Sequence, residues 1–384
     1  MLKNIFPISD FLYLLQLEEY ETGRYFKTIR RFFWGRNLQK RGRLVWTKRI
    51  KITAALAFPL CILLFPFTPI WIGISNAILN PYFERIKLRI QKQAAEKFKK
   101  LGKDTKVILI AGSHGKTTTK NYIYELIRYN YKTQMIPGNI NTVTGIANWI
   151  INNFDKSTEI LVAETDPYYV GEIKKVCEII PPDISILTNI GDQHLERLGT
   201  KKNLNKALEE IFKYAKPDAL KIKDLKTPLD YSKRIAVYLK IPKDIINDTL
   251  GKLKFPDRRG DIKKMHGFDV IDQSYNISEL TAIYNLKDAV LRANIADRKL
   301  IVITAGIPEL GEENKDANKR LGKYLAEIVD KVILLKSILY KDVYQDSEKF
   351  ILADNLNAAW KILADYNPDE YFILMLPELN DLYY

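Results

Sequence analysis

One short stretch of this chain carries the residue types that bind a phosphate group. The apolar residues 107–110 predict a buried strand, and Gly112-Ser113-His114-Gly115 predicts a tight loop before the helix that Lys116-Thr117-Thr118 opens. Backbone N–H groups and the helix dipole would face the anion, the lysine would add positive charge, and the hydroxyl after it could hold Mg²⁺. The order of these residues favours a nucleotide-binding loop over an ordinary glycine turn.

Two further apolar segments predict strands that deliver polar side chains to one edge of a sheet. Residues 160–163 lead to Glu164, and residues 184–187 lead to Asn189 and His194. Open parallel sheets build their sites at the carboxyl ends of their strands, where a carboxylate can hold Mg²⁺ directly or through water. His194 is one of only three histidines, and the pattern leaves open whether it is a metal ligand or a structural residue.

The C-terminal part of the chain alternates between strand and helix patterns again. Apolar strands are predicted at 268–271, 300–303, 332–335 and 371–376, separated by helical patterns over 279–294, 315–329 and 355–366. This alternation predicts a small Rossmann-like α/β domain. Because the region has no Gly-x-Gly-x-x-Gly sequence, we do not predict that it binds a dinucleotide.

The N-terminal region combines a basic segment with an uncharged block. The net charge of the chain is +14, residues 24–51 contain eleven lysines and arginines and no acid, and residues 52–83 contain no charged residue. Such a balance fits nucleic acid or an anionic membrane, and the apolar block favours the membrane. We therefore expect a protein of the cell membrane with its catalytic domains in the cytoplasm, with membrane lipid and no nucleic acid among its partners.

The apolar block allows two geometries in a bilayer. One spanning helix needs about 20 apolar residues, but Pro59, Pro66 and Pro69 break the block and basic clusters flank it, which favours a re-entrant hairpin. A buried pair of soluble helices is the alternative. Ahead of the block, residues 11–34 carry apolar side chains at helical spacing, which predicts one amphipathic helix on the membrane, or else a plain surface helix.

Several motifs, in order along the chain, resemble those of the Mur ligases, the ATP-dependent amide-bond ligases that build the peptide stem of peptidoglycan. The phosphate loop, Glu164 and residues 187–196 resemble the central domain of that family, and residues 137–145 resemble its asparagine-rich substrate loop. Residues 270–276 and 301–311 resemble motifs of the family branch that adds D-alanyl-D-alanine. The resemblance extends from about Lys106 to the C-terminal end.

The resemblance implies a fold, an organisation and a reaction. The fold would be α/β, with an ATP-binding P-loop central domain over residues 101–255, shortened in its second half, and a Rossmann-like C-terminal domain over residues 256–384. We expect an α-helical membrane-associated segment over residues 1–100. The implied cofactors are ATP and Mg²⁺, and the implied partners are a peptidoglycan-precursor peptide and an amino-acid or dipeptide amine donor. The implied reaction forms an acyl phosphate, which the amine then attacks.

The resemblance also implies roles for single residues. Lys116, Glu164, His194 and Arg259 would be catalytic, although Arg258 matches the family arginine as well as Arg259 does. Thr117 and Glu164 would hold one Mg²⁺, and His194 a second. Asn139 and Asn141 would contact the substrate. The nucleotide-binding residues that it implies are Gly112, Ser113, His114, Gly115, Lys116, Thr117, Thr118, Asn189, Asp272, Tyr275 and Asn276.

One departure from the family pattern bears on the second metal. The family bridges that metal with a carbamylated lysine, and Leu208 stands at the matching position, with Lys206 two residues before it. Because leucine has no amine to carry a carbamate, the sequence leaves three hypotheses open: an active ligase, a catalytically degenerate relative that acts as a membrane-bound scaffold, and a different P-loop enzyme such as a kinase. The ordered set of motifs argues against the third.

Overall fold

The computed structural model describes residues 8–32, 43–63, 67–138, 140–191, 195–252, 261–273, 279–308 and 310–376. These residues fall into two compact units, one that ends at Arg89 and one that begins at Ile90. In the described residues the first unit is helical, and the second contains two β-sheets with their helices.

The helices of the first unit are α1 (Ile8–Leu17), α2 (Thr22–Phe32), α3 (Lys48–Leu63) and α4 (Thr68–Leu101), the last of which continues into the second unit. The single amphipathic helix predicted over residues 11–34 is wrong, because the chain turns between α1 and α2. Glu19 and Tyr20 adopt positive φ angles of 54° and 66° there. The side-chain amide of Asn76 donates to the carbonyl oxygen of Tyr20 at 2.7 Å, which holds this turn. Trp34 lies outside the described residues.

The apolar block divides between α3 and α4, and the predicted cell-membrane localisation is wrong. Among the described residues, no helix is both long enough and apolar enough to cross a bilayer. Helix α3 has only 16 residues. Asn76 and Asn80 of α4 accept hydrogen bonds from the guanidinium of Arg49, so this part of the block is polar on one side. The described residues therefore give no support to a membrane-embedded segment, a transmembrane helix or a lipid partner; Pro66 lies outside them.

The first sheet of the second unit is parallel throughout. Its strands are β1 (Lys106–Ala111), β2 (Thr133–Met135), β3 (Ile160–Glu164), β4 (Ile184–Leu187) and β5 (Leu220–Ile222), in the spatial order β2-β3-β1-β4-β5. The three strands predicted at 107–110, 160–163 and 184–187 are confirmed. The sequence did not indicate β2 and β5, because strands of three residues are too short to show a pattern.

Helices cover both faces of this sheet: α5 (Lys116–Ile127), α6 (Val143–Asn153), α7 (Glu172–Ile179), α8 (Leu195–Leu198), α9 (Lys201–Lys213), α10 (Pro228–Tyr238) and α11 (Lys243–Lys252). The side chains of β1 alternate between two cores. Leu109 packs into one core with Ala147, and Ile108 packs into the other with Ile123. Burial on both faces explains why this strand is an unbroken apolar run in the sequence.

The second sheet is parallel except at one edge. Its strands are β6 (Asp261–Met265), β7 (Phe268–Asp272), β8 (Lys299–Thr304), β9 (Lys331–Leu335), β10 (Phe350–Ala353) and β11 (Tyr371–Met375), in the spatial order β10-β9-β8-β11-β7-β6. Strands β6 and β7 form an antiparallel hairpin whose turn, His266-Gly267, has positive φ at both residues. The associated helices are α12 (Glu279–Ile295), α13 (Asn314–Ile328), α14 (Tyr340–Val343) and α15 (Leu356–Leu363), with one 3₁₀ turn at Gly311–Glu313. The predicted alternation of strand and helix is confirmed.

Candidate functional site

The predicted phosphate loop lies between β1 and α5, and its conformation requires glycine. Gly112 and Gly115 have φ angles of 137° and 80°. A Cβ atom on Gly112 would lie 2.1 Å from the hydroxyl oxygen of Thr188, so a side chain there would collide with the end of β4. The backbone N–H of Ser113 donates to the carbonyl oxygen of Asn189 at 3.0 Å. These contacts hold the loop against β4, with the N-terminus of α5 directly behind it.

Lys116 lies folded back onto its own loop. Its ammonium donates to the carbonyl oxygens of Gly112 at 2.5 Å and Ser113 at 3.3 Å, and it lies 3.2 Å from the carboxylate of Asp166. Both side chains of this ion pair are nearly buried, with 8% and 11% of their surface exposed. The sequence patterns did not indicate Asp166. The available signal was its position two residues beyond Glu164, at the end of the same strand.

Thr117 and Glu164 come together as the sequence predicts, and their oxygens suit Mg²⁺. The hydroxyl of Thr117 donates to Oε1 of Glu164 at 3.0 Å. Glu164 is only 1% exposed, and within the described part of the chain its Oε2 accepts no hydrogen bond. A buried carboxylate oxygen that accepts no hydrogen bond costs free energy unless a cation or water lies near it, and here the Lys120 ammonium lies 3.5 Å from Oε2. A carboxylate and a hydroxyl beside a phosphate loop are the hard oxygen ligands that Mg²⁺ prefers.

Lys120 is a second buried lysine at this edge of the sheet, and the sequence patterns did not indicate a role for it. Its side chain is fully buried, and its ammonium donates to the carbonyl oxygens of Ile136 at 3.0 Å and Gly138 at 3.1 Å. The same ammonium lies 3.5 Å from Oε2 of Glu164. Lys120 therefore connects the loop after β2 with the end of β3. Its position four residues after Lys116, on the same face of α5, was the available signal.

The structure describes some of the remaining predicted residues and not others. Thr118 is buried in the first turn of α5. The carbonyl oxygen of Asn141 accepts a hydrogen bond from the backbone N–H of Asp166 at 3.2 Å, so Asn141 lies at the same edge of the sheet. Asp272 is buried at the carboxyl end of β7 in the second sheet. The residues that lie outside the described ranges are Asn139, His194, Arg258, Arg259, Tyr275 and Asn276.

Leu208 and Lys206 differ in their surroundings, which bears on the second metal. Leu208 is 1% exposed and belongs to the apolar core beneath the sheet. Lys206 is exposed and lines a cavity of about 620 Å³ that opens beside Asn189, together with Lys213, Lys221 and Lys223. The core position of Leu208 leaves no amine at the place where a carbamate would form. Lys206 is the nearest lysine along α9 and faces the cavity instead.

Comparison with known proteins identifies the family that this domain resembles. Residues 110–240 match the model of the Mur ligase middle domain. A UDP-N-acetylmuramoyl-tripeptide–D-alanyl-D-alanine ligase of Bacillus subtilis (strain 168) is 33% identical over 133 residues, covering 35% of this chain and 28% of the relative. The ligase of the same name from Borreliella burgdorferi is 27% identical over 328 residues, covering 70% of this chain and 68% of the relative. The chain thus spans 28% of the length of the first relative and 68% of the second.

Two solved structures share the fold over most of the described chain. The MurF ligase of Thermotoga maritima in complex with ADP has a TM-score of 0.69 and 24% identity, covering 76% of this chain and 80% of that one. A MurF of Acinetobacter baumannii has a TM-score of 0.68 and 18% identity, covering 76% and 77%. The first of these structures was solved with ADP, and the relatives above are named as ligases. Residues 110–240 therefore resemble a Mur ligase middle domain, in a chain that shares the fold of these two MurF structures.

Proposed function

We propose that this protein is an ATP-dependent amide-bond ligase that acts on a peptidoglycan-precursor peptide. The observation that carries the proposal is the pairing of Thr117 with the buried Glu164 beside a phosphate loop whose lysine is in place. Relatives named as UDP-N-acetylmuramoyl-tripeptide–D-alanyl-D-alanine ligases support a muramoyl tripeptide as the acceptor and D-alanyl-D-alanine as the amine donor.

The proposed reaction has two displacement steps. A carboxylate oxygen of the acceptor attacks the γ-phosphorus of ATP, ADP leaves, and an acyl phosphate forms. The amine nitrogen of the donor then attacks the acyl carbon, inorganic phosphate leaves, and the nitrogen loses a proton as the amide forms. Little of this chemistry needs a covalent contribution from the protein, so positioning and charge neutralisation dominate.

The chain's own residues divide this work. Lys116 and the N–H groups of the first turn of α5 would bind the phosphates, since a helix N-terminus presents its N–H groups to an anion. Thr117 and Glu164 would hold Mg²⁺, which neutralises phosphate charge when it is bound. Asn141 lies at this edge and would contact the acceptor. We propose the same roles as the family pattern implies for His194, Arg259, Asp272, Tyr275, Asn276 and Asn139.

Of the sites in the family pattern, the second metal site has the least support in this chain, because Leu208 replaces the bridging lysine. Leu208 is buried in the core, and we propose that one Mg²⁺ at Thr117 and Glu164 carries most of the charge neutralisation. We also propose that the central domain, residues 101–255, is shortened in its second half relative to the family. The catalytically degenerate scaffold is the weaker candidate, because the phosphate loop, its lysine and Glu164 are all in place.

Phosphate release in the purified protein tests this function. We expect phosphate release from ATP only when a UDP-N-acetylmuramoyl-tripeptide and D-alanyl-D-alanine are both present, and none from the Lys116→Ala variant. Transfer of phosphate to the peptide without any amine requirement would indicate a kinase. Nucleotide binding without turnover under every acceptor and amine combination would instead favour the scaffold.

A further inference from the structure

Two lysines and two acids form ion pairs along one face of α5. Lys116 lies 3.2 Å from Asp166, and Lys120 lies 3.5 Å from Glu164. All four side chains are at most 11% exposed. Since each lysine faces one carboxylate, the formal charges of this group cancel. The nucleotide-free site therefore holds no spare positive charge from these four residues, although it is shaped for an anion.

The position of Asp166 is fixed by its backbone and not only by its charge. Its N–H donates to the carbonyl oxygen of Asn141, and the N–H of Thr165 before it donates to the carbonyl oxygen of Ile110 at 2.8 Å. Within the described residues, Asp166 is the only acid in ion-pair contact with Lys116. An asparagine at this position would keep the backbone contacts and nearly the same shape, and would remove only the charge.

Nucleotide binding must change the partner of Lys116. A phosphate oxygen held by the ammonium would lie about 2.8 Å from it. If the ammonium stays in place, the carboxylate of Asp166 then lies within about 6 Å of that oxygen, a range at which like charges in a nearly buried site repel strongly. A Mg²⁺ ion held by Thr117 and Glu164 would outweigh this repulsion between the phosphate and Asp166, because the cation would attract both of them.

We propose that Asp166 is a specificity-determining residue that makes the site select Mg²⁺-bound nucleotide over free nucleotide. It pairs with Lys116 in the nucleotide-free protein, and it repels a nucleotide that arrives without the cation. The proposal rests on the nucleotide site of the proposed function, but not on the identity of either substrate.

Calorimetric titration of this whole chain with ADP, in excess Mg²⁺ and in EDTA, tests the proposal. We expect the wild-type protein to bind Mg²⁺-ADP at least about tenfold more tightly than free ADP. In Asp166→Asn, the affinity for free ADP should rise by about fivefold to tenfold, while the affinity for Mg²⁺-ADP changes by less than about threefold. The preference for the Mg²⁺-bound form should therefore nearly disappear.

Asp218→Asn is the matched control. Asp218 is an exposed aspartate just before β5, at the amino edge of the same sheet, so its removal changes net charge without touching the loop. The Mg²⁺ preference should stay at its wild-type value in this variant. Melting temperatures of both variants, measured without nucleotide, show whether each is folded.

The outcomes separate this inference from the proposed function. An unchanged Mg²⁺ preference in Asp166→Asn, or an equal weakening of both forms of ADP, would overturn the inference while leaving the nucleotide site intact. A wild-type protein that binds ADP neither with nor without Mg²⁺ would overturn the proposed function as well.

Discussion

The two sheets of the second unit have similar architectures but differ in the hydrogen bonding of their buried polar side chains. At the carboxyl edge of the second sheet, the amide of Asn318 is fully buried and bonds to Ile307 through both its oxygen and its nitrogen. The hydroxyl of Ser337 donates to Ala305 at 2.7 Å. In the described residues of 261–376, no buried side-chain nitrogen or oxygen lacks a hydrogen bond, whereas around the first sheet Oε2 of Glu164 and the hydroxyl of Thr119 do.

This difference separates polar groups that stabilise the fold from groups held ready for a ligand. The side-chain amide of Asn318 completes a turn, so its donor and its acceptor are both satisfied inside the protein. Glu164, Lys116 and Asp166 are also buried, but they form ion pairs beside the glycine loop at the N-terminus of α5. Burying charges is costly unless they are paired, and a site that keeps them there is more consistent with binding than with stability.

The largest expected effect is the loss of nucleotide binding in Lys116→Ala. The variant removes the charge that faces the phosphates and leaves Asp166 unopposed, so we expect no measurable ADP binding by calorimetry. Lys336→Ala is the matched control in the second sheet, because Lys336 follows β9 and pairs with Asp354 at 2.6 Å on the surface. ADP affinity should not change in the control. Unchanged affinity in Lys116→Ala would mean that the phosphate loop is misassigned.

The next effect concerns metal use. Glu164→Gln removes a formal charge from a site with hard oxygen ligands, so we expect ATP turnover to fall by about a hundredfold, and by more than in His194→Ala. Turnover of both variants across a Mg²⁺ titration measures this difference. Added bicarbonate should have no effect on the wild-type protein, because Leu208 is buried and has no amine. A larger loss in His194→Ala, or stimulation by bicarbonate, would point to a second metal site with Lys206 as the first residue to check.

Lys120→Met should affect stability and loop order together. The substitution leaves two carbonyl oxygens and Oε2 of Glu164 without their ammonium, so we expect a loss of about 2–4 kcal/mol in the free energy of unfolding. Hydrogen exchange of the residues around Ile136 and Gly138 should become faster, because their anchor is gone. Lys349→Met is the control, since Lys349 makes one such bond, to Ala326 at 2.7 Å, and should cost only about 1 kcal/mol. Equal losses in the two variants would show that Lys120 has no special place in the site.

The sequence predicted the parts of the site whose signals are local. Glycines, a lysine and hydroxyls follow one apolar strand directly, and Glu164 ends the next long one. Lys120 and Asp166 were missed because their partners lie on other elements: Lys120 contacts the loop after β2, and Asp166 contacts the first residue of α5. Their roles depend on how the strand ends meet in space, which no pattern along the chain contains.

The N-terminal prediction failed for a related reason. Composition over residues 52–83 indicated a bilayer, since the block is long and uncharged. The structure divides the block between two helices and pairs Arg49 with Asn76 and Asn80, which lie 27 and 31 positions away in sequence. Arg49 also stacks over the ring of Phe83 at 4.8 Å. Uncharged residues were counted as apolar, although the two asparagines use their amides to bind a buried arginine.

The smallest expected effect is a pH-dependent one in the second sheet, at Asp269 of β7. Lys264 lies 3.0 Å and Arg298 2.8 Å from its carboxylate. Burial opposes the charge, but the hydrogen bonds from these two bases outweigh it and hold the pKa of Asp269 below its ordinary value.

A carboxylate whose pKa is lowered by folding contributes stability above its unfolded pKa of about 3.9, and this contribution disappears as the pH falls through the folded value. Lys264 is largely exposed, so solvent weakens its part of the pair. We therefore expect Asp269→Asn to lower the free energy of unfolding by only about 0.5–1 kcal/mol at pH 7, and we expect this deficit to be smaller at pH 3, in urea titrations at both pH values. Asp365→Asn, at an exposed aspartate after α15, is the control and should leave the free energy of unfolding unchanged at both pH values. ADP affinity should be unaffected in both variants, because neither Asp269 nor the two bases that pair with it are among the residues proposed to bind the nucleotide. A deficit of the same size at pH 3 would mean that Asp269 acts through packing, and a change in ADP affinity would mean that Asp269 also supports Asp272, which ends the same strand.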